Sequence, residues 1–229
     1  MLSSWGVAFE AVNVADNPAA LAELRRLGVP LVPAVAVGER VVHGWNPRGF
    51  AELVGVPYAE APQLPPAELA RRLERILQAT QRVMRQVSAD RLGVRTPGGE
   101  RTIRNLGYHI FRLSLVFRDA AVEDRFPEAW LLEQVPGELT TGQDIADYGT
   151  LVREELAHWF AAHAGESFSR TVHTYYGRQS LHALLERTAW HAAQHFRQVC
   201  ALLEGMGIEP DRPLTAEDYA GLPLPATVW

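Results

Sequence analysis

The 229-residue sequence predicts a two-domain α+β chain that is mainly α, an up-down four-helix bundle preceded by a small β-α-β-β-α piece. Three observations carry that reading. Between residues 67 and 205 apolar side chains recur at three- and four-residue steps in four stretches of about 20 residues each, the pattern of bundle helices. Before residue 55 the runs are short and switch between alternation and helical spacing. Between these regions, residues 56–66 hold four prolines and read as a semi-rigid linker. The expected organisation is therefore 1–55, linker 56–66, bundle 67–207 and a proline-punctuated tail 208–229.

In chain order, Phe9 to Val14 alternates apolar and polar as a half-buried strand would. Asp16-Asn17-Pro18 then supplies a cap and a first-turn proline for a helix carrying Leu21, Leu24 and Leu27, stopped by Gly28. Residues 33–37 and 40–44 flank the turn Gly38-Glu39 as a hairpin, and Asn46-Pro47 opens a helix through Leu53. The first bundle helix buries Leu69, Leu73, Ile76, Leu77, Thr80, Val83, Met84 and Val87. The second starts at Thr102-Ile103 with Leu106, Ile110, Leu113 and Phe117 inward. The third runs from about Asp144 to Gly165, with Ile145, Val152, Leu156, Trp159 and Phe160. The fourth is capped by Ser180 and carries Leu181, Leu184, Leu185, Thr188, Ala192, Val199 and Leu202 before Gly205. The connection 124–143 is long, and long connections tend to shape sites rather than cores.

Composition removes several kinds of chemistry. All 22 basic residues are arginine, so there is no Schiff-base lysine and no phosphate-loop lysine. The lone Cys200 excludes an intrachain disulfide, a Cys-x-x-Cys pair and a zinc ribbon. A net charge of −5 gives no electrostatic footprint for nucleic acid or an acidic membrane surface. No apolar run reaches the ~20 residues that span a bilayer, and Met1 to Trp5 lacks the basic and apolar regions of a secretory peptide. The expected location is cytoplasmic, with no nucleic-acid or membrane partner. Eight histidines, carboxylates and hydroxyls remain as reactive groups.

The pattern Trp190-His191-Ala192-Ala193-Gln194-His195 places two imidazoles on one face of the fourth helix, in line with the apolar stripe. Two buried neutral imidazoles need partners. Either each hydrogen-bonds a carbonyl or carboxylate, or both bind a metal ion, for which imidazole is the commonest ligand. His109, in the first half of the second helix, can come level with the pair in an antiparallel bundle. Three histidines from two helices would leave coordination positions open to water or substrate, as catalytic sites do.

Gly107-Tyr108-His109 and the run Glu186 to His195 resemble the DinB/YfiT-like metal-binding bundle family, over residues 67–205. The resemblance implies that His109, His191 and His195 hold a divalent ion, commonly nickel or zinc in that family. It also implies a homodimer and a reaction between a small-molecule electrophile and a small thiol such as glutathione, mycothiol or bacillithiol. A metal-dependent, thiol-using transferase or isomerase is the leading expectation. A metal-dependent hydrolase and a non-catalytic, metal-stabilised dimerisation or stress-response module are the alternatives. The first 55 residues resemble glutaredoxins through residues 28–35 and 41–47, with Val32-Pro33 at that family's cis-proline and Gly44 where a thiol peptide's carboxylate is held. That family's first strand and Cys-x-x-Cys would precede Met1, so the sequence carries no dithiol of its own.

Further candidates surround the histidines. Tyr176 and Arg178, leading into the fourth helix, could bind a substrate carboxylate or thiol peptide, or form an aromatic-packed loop with an exposed arginine. Arg104, one turn ahead of His109, could reach a substrate anion. Glu186 could accept from a ligand histidine's second nitrogen or sit on the surface, with Arg187 beside it. His158, His163 and His173 lie near Glu154, Glu155 and Glu166 and read as a solvated face. Cys200 reads as a buried, inert thiol.

Overall fold

A computed structural model describes the chain except residues 1, 3, 4, 13, 15, 16, 30, 31, 58–62, 98–100, 226 and 229. The chain divides into two compact units, Met1–Pro62 and Gln63–Trp229. In the first, α1 (Pro18–Arg26) starts where the Asn17 side chain accepts from the Ala20 amide at 3.0 Å, with proline in the first turn where its missing N–H is harmless. β1 (Ala34–Val37) and β2 (Arg40–His43) form the expected hairpin, with Val35 opposite Val42 and Val37 opposite Arg40. α2 (Pro47–Val54) is capped by Asn46, which accepts from the Gly49 amide at 2.8 Å, and Gly55 closes it at φ +75°. The Val32–Pro33 peptide is cis, where the glutaredoxin resemblance puts such a bond.

One expected element is missing from this unit. Residues 7–12 form no strand, and Phe9 and Val12 stay 52% and 48% exposed. Alternation names the face a strand would bury, but a strand also needs a neighbouring ladder, and among the described residues β1 and β2 pair only with each other. Asn13 and Asp16 of these readings, Pro30 and Leu31 of the resemblance, and residues 58–62 of the linker lie outside the described residues.

The second unit holds α3 (Pro66–Arg85), α4 (Ile103–Glu123), β3 (Arg125–Phe126), α5 (Glu128–Leu131), α6 (Gly142–Ala162), β4 (Thr171–Thr174), β5 (Gly177–Ser180), α7 (Leu181–Gly205) and α8 (Ala216–Tyr219). Caps explain the boundaries. Thr102 and Thr141 open α4 and α6 with reciprocal capping boxes to Asn105 and Asp144, and Ser180 accepts from the Ala183 amide at 3.0 Å. Pro65 and Pro66, read as the end of the linker, begin α3 instead; proline suits the first helical position because its φ is already helical. Residues 174–177, read as a loop, turn a hairpin between β4 and β5, and β3 joins it in parallel through Arg125–His173 and Phe126–Thr174.

The expected four-helix bundle is present, and its connectivity refines simple up-down alternation. α3 packs against α6 and α7, and so does α4, so α3 sits diagonally from α4 and α6 from α7. Gln81 late in α3 donates to the Ala146 carbonyl early in α6 at 2.7 Å, which makes that pair antiparallel. Gly149 lies on Phe111 and Phe160 on Phe117, which makes α4 and α6 parallel. Two parallel neighbours in succession require the chain to return the length of the bundle between them. The long connection 124–141 does this, starting at β3 and ending where Arg104 of α4 donates to the carbonyls of Pro136 and Leu139, each at 2.7 Å. Phe111, Phe117, Phe196, Ile110 and Ile145 are among the side chains that fill the core. None of the described helices is long and apolar enough to cross a membrane.

Candidate metal centre

The helical registers of α4 and α7 bring three imidazoles together at mid-bundle. The four-residue spacing puts His191 and His195 on one face of α7, with ring centroids 4.4 Å apart. His109 of α4 lies 5.0 Å from the first and 5.4 Å from the second. One ligand atom from each can be chosen so that all three lie within 4.8 Å of one another. The rings are steeply inclined to one another, at 63°, 68° and 86°. A Cβ at Gly107 would stand 2.7 Å from Met84 Sδ, so α4 approaches α3 closely two residues before His109.

These side chains can hold a metal ion, as three features of their surroundings indicate. His109 is 6% exposed, and its Nε2 is buried without a hydrogen-bond partner. Leaving such an atom unsatisfied costs about 1–3 kcal/mol, which a metal bond would offset. Burial is the main cause that pulls the pKa values of all three down, and the Arg101 charge adds to it at each ring. Arg187 adds further at His109 and His191, and His195 is lowered to about 4. All three are therefore neutral near pH 7, with lone pairs ready for coordination. Finally, His195 Nδ1 already engages Gln198 Oε1 at 2.6 Å, leaving Nε2 for the shared centre.

Beside the triad is a cleft of about 190 Å³ whose wall includes Arg101, Asn105, Tyr108, His109 and Glu133. Residues 131–135 of the long connection form one side, so that connection does shape the site. Among the described residues Glu133 is the one carboxylate in the wall, and Arg112 grips it twice, Nε at 2.5 Å and Nη2 at 2.9 Å. A larger cavity of about 490 Å³ between α3 and α6 has no histidine in its wall.

The other candidates from the sequence take different places. Arg104 clamps the long connection through the carbonyls of residues 136, 137 and 139, so its fork is spent on backbone rather than on a substrate anion. Glu186 accepts from Gln63 Nε2 at 3.2 Å, and among the described residues it makes no hydrogen bond to a histidine. Tyr176 is buried, and its ring lies 5.0 Å under the Arg187 guanidinium; it packs rather than presents a binding face. Arg178 is exposed on β5 opposite His173 and is not in the cleft wall. His163 stacks on Trp159 at 4.2 Å and engages that residue's carbonyl, away from the triad. Cys200 is half-buried, with its thiol pushed up to about 12 by burial, as an inert thiol should be.

Sequence reasoning underweighted Arg187 and passed over Arg101, Glu133 and Gln198. Arg187 carried a signal, standing four residues before His191 on the same face. It donates to Tyr175 Oη at 2.9 Å and sits over the Phe126, Tyr175 and Tyr176 rings. Arg101 and Glu133 are brought in by segments with no periodicity to read.

Comparison with known proteins agrees with this geometry. The glutaredoxin profile matches residues 1–42. No curated protein matches the sequence. Among solved structures, YfiT from Bacillus subtilis, a probable metal-dependent hydrolase with an unusual four-helix bundle topology, is similar at a TM-score of 0.52 and 13% identity. The match covers 67% of this chain and 96% of that one, and it shows a shared fold. The DinB superfamily profile matches residues 51–199, about two thirds of the sequence, and the chain belongs to the DinB superfamily.

Proposed function

We propose that the bundle is a metal-dependent enzyme that joins a small thiol to an electrophilic small molecule, as a transferase or isomerase. His109, His191 and His195 would hold a divalent ion, nickel or zinc by ligand type and by the family resemblance. Such an ion acts as a Lewis acid and lowers the pKa of a bound thiol or water. The chain's own residues then favour an anionic partner. Arg101 and Arg187 place positive charge near enough to depress the histidine pKa values, and the same field stabilises a thiolate or a substrate carboxylate.

The observation that carries the thiol reading is the state of Glu133. Hydrolysis needs a base for the proton of the attacking water, and among the described residues the one carboxylate in the cleft wall, Glu133, is held in a bidentate pair by Arg112. A thiol of ordinary pKa near 8.5 needs only a modest shift to ionise at neutral pH, with no dedicated base. The glutaredoxin match over residues 1–42 adds support from a second part of the chain.

Metal-dependent hydrolysis is the second reading, favoured by the description of YfiT. The two separate on thiol dependence. Turnover of an electrophile panel by the metal-loaded protein should require glutathione or a related thiol and be lost in His191→Ala. Thiol-independent release of product from ester or amide substrates would contradict the thiol reading.

A further inference from the structure

The polypeptide beyond α7 returns along the bundle as an extended strap. Arg72 of α3 donates to the carbonyls of Glu217 and Asp218 at 2.7 and 2.8 Å, and Arg75 pairs with Asp218 at 2.8 Å. Leu222 is 8% exposed, packed into the core. From there the strap follows α7, whose side chains donate to it one after another. Trp190 Nε1 reaches the Pro223 carbonyl at 3.0 Å, and Arg197 Nη1 reaches that of Pro225 at 2.8 Å. The Val228 carbonyl accepts from Gln194 Nε2 at 2.7 Å and from Gln198 Nε2 at 3.2 Å. These donors interleave with the ligand positions 191 and 195 on the same helix.

The last of these bonds has a consequence for the metal centre. An amide side chain has one donor end and one acceptor end. With Gln198 Nε2 committed to Val228, Oε1 is the end turned toward His195, at 2.6 Å from Nδ1. A carbonyl oxygen accepts only, so His195 must carry its proton on Nδ1 and keep the Nε2 lone pair for the ion. We infer that Gln198 is the positioning residue for the ligand His195, and that the C-terminal strap, through the Val228 carbonyl, sets the orientation of Gln198 and thereby the tautomer of His195. Glu186, an acceptor to look for from sequence, is occupied by Gln63 instead. The inference rests on the metal reading for its purpose, but the tautomer can be measured in metal-free protein.

Two measurements on the full chain test it. In ¹⁵N-resolved spectra of the metal-free protein, His195 should be a single Nδ1–H tautomer, and Gln198→Leu or removal of residues 226–229 should turn it into a mixture. Zn²⁺ affinity, measured by competition with a chromophoric chelator, should fall about 10–100-fold in Gln198→Leu, the usual effect of removing a ligand's hydrogen-bond partner. It should fall less in the shortened chain and stay within a few-fold of wild type in Gln198→Glu, which retains the acceptor. Thermal melts of the metal-free variants separate these effects from unfolding, and the shortened chain serves if Gln198→Leu does not fold. Wild-type Zn²⁺ affinity and an unchanged His195 tautomer in both Gln198→Leu and the shortened chain would overturn the inference. A wild-type protein that binds no Zn²⁺ would instead remove the metal reading, and the tautomer would still decide the role of Gln198.

Discussion

Each of the three histidines is shaped by what surrounds it rather than by its own identity. Burial and the Arg101 and Arg187 charges favour the neutral imidazole, so in the metal-free protein the unfolded chain binds more protons than the folded one below about pH 6.5. Stability is therefore complete above that pH and is lost as pH falls toward about 4, the folded value for His195. Each proton taken up only by the unfolded chain removes ~1.4 kcal/mol per pH unit over that window. Urea midpoints in the presence of chelator should drop between pH 7 and pH 5, and drop less in His109→Gln. Equal drops in both proteins would show that His109 is not held neutral by burial. The pairing of His191 with His195 was legible because α-helical spacing fixes which residues share a face. The partners of Arg104 and Glu186 were left open because spacing says nothing about where a long side chain finds its partner, here backbone carbonyls in one case and Gln63 in the other.

Among the secondary-structure elements, the bundle helices were readable because their stripes are long and their caps are conventional, with Thr102 and Ser180 at the expected N-caps. The β4–β5 hairpin was missed because four-residue strands interrupted by Tyr175 and Tyr176 carry too little alternation to register. The expected strand at 9–14 failed for the opposite reason, alternation without a ladder. The parallel run of α4 beside α6 depends on close approach. A Cβ at Gly149 would stand 2.5 Å from the Phe111 ring, which is fully buried and cannot swing aside. Gly149→Ala should cost about 1–3 kcal/mol through overpacking, seen as a lower melting temperature. A melting temperature equal to wild type would mean that the helices can separate without penalty.

For the molecule as a whole, the three histidines and the strap that reaches Gln198 all lie within Gln63–Trp229. That unit expressed alone should fold cooperatively and bind the ion with the stoichiometry of the full chain, as circular dichroism and metal titration would report; failure to bind would assign Met1–Pro62 a part in building the site. The central claim is that three neutral histidines from two helices form a divalent metal site. Metal analysis of protein purified without a histidine tag tests it most directly, comparing wild type with His191→Ala and His109→Ala. About one nickel or zinc ion per chain in the wild type, and under a tenth of that in either variant, is the expected result. A wild-type protein free of metal after exposure to both ions, or variants that retain it, would contradict the account.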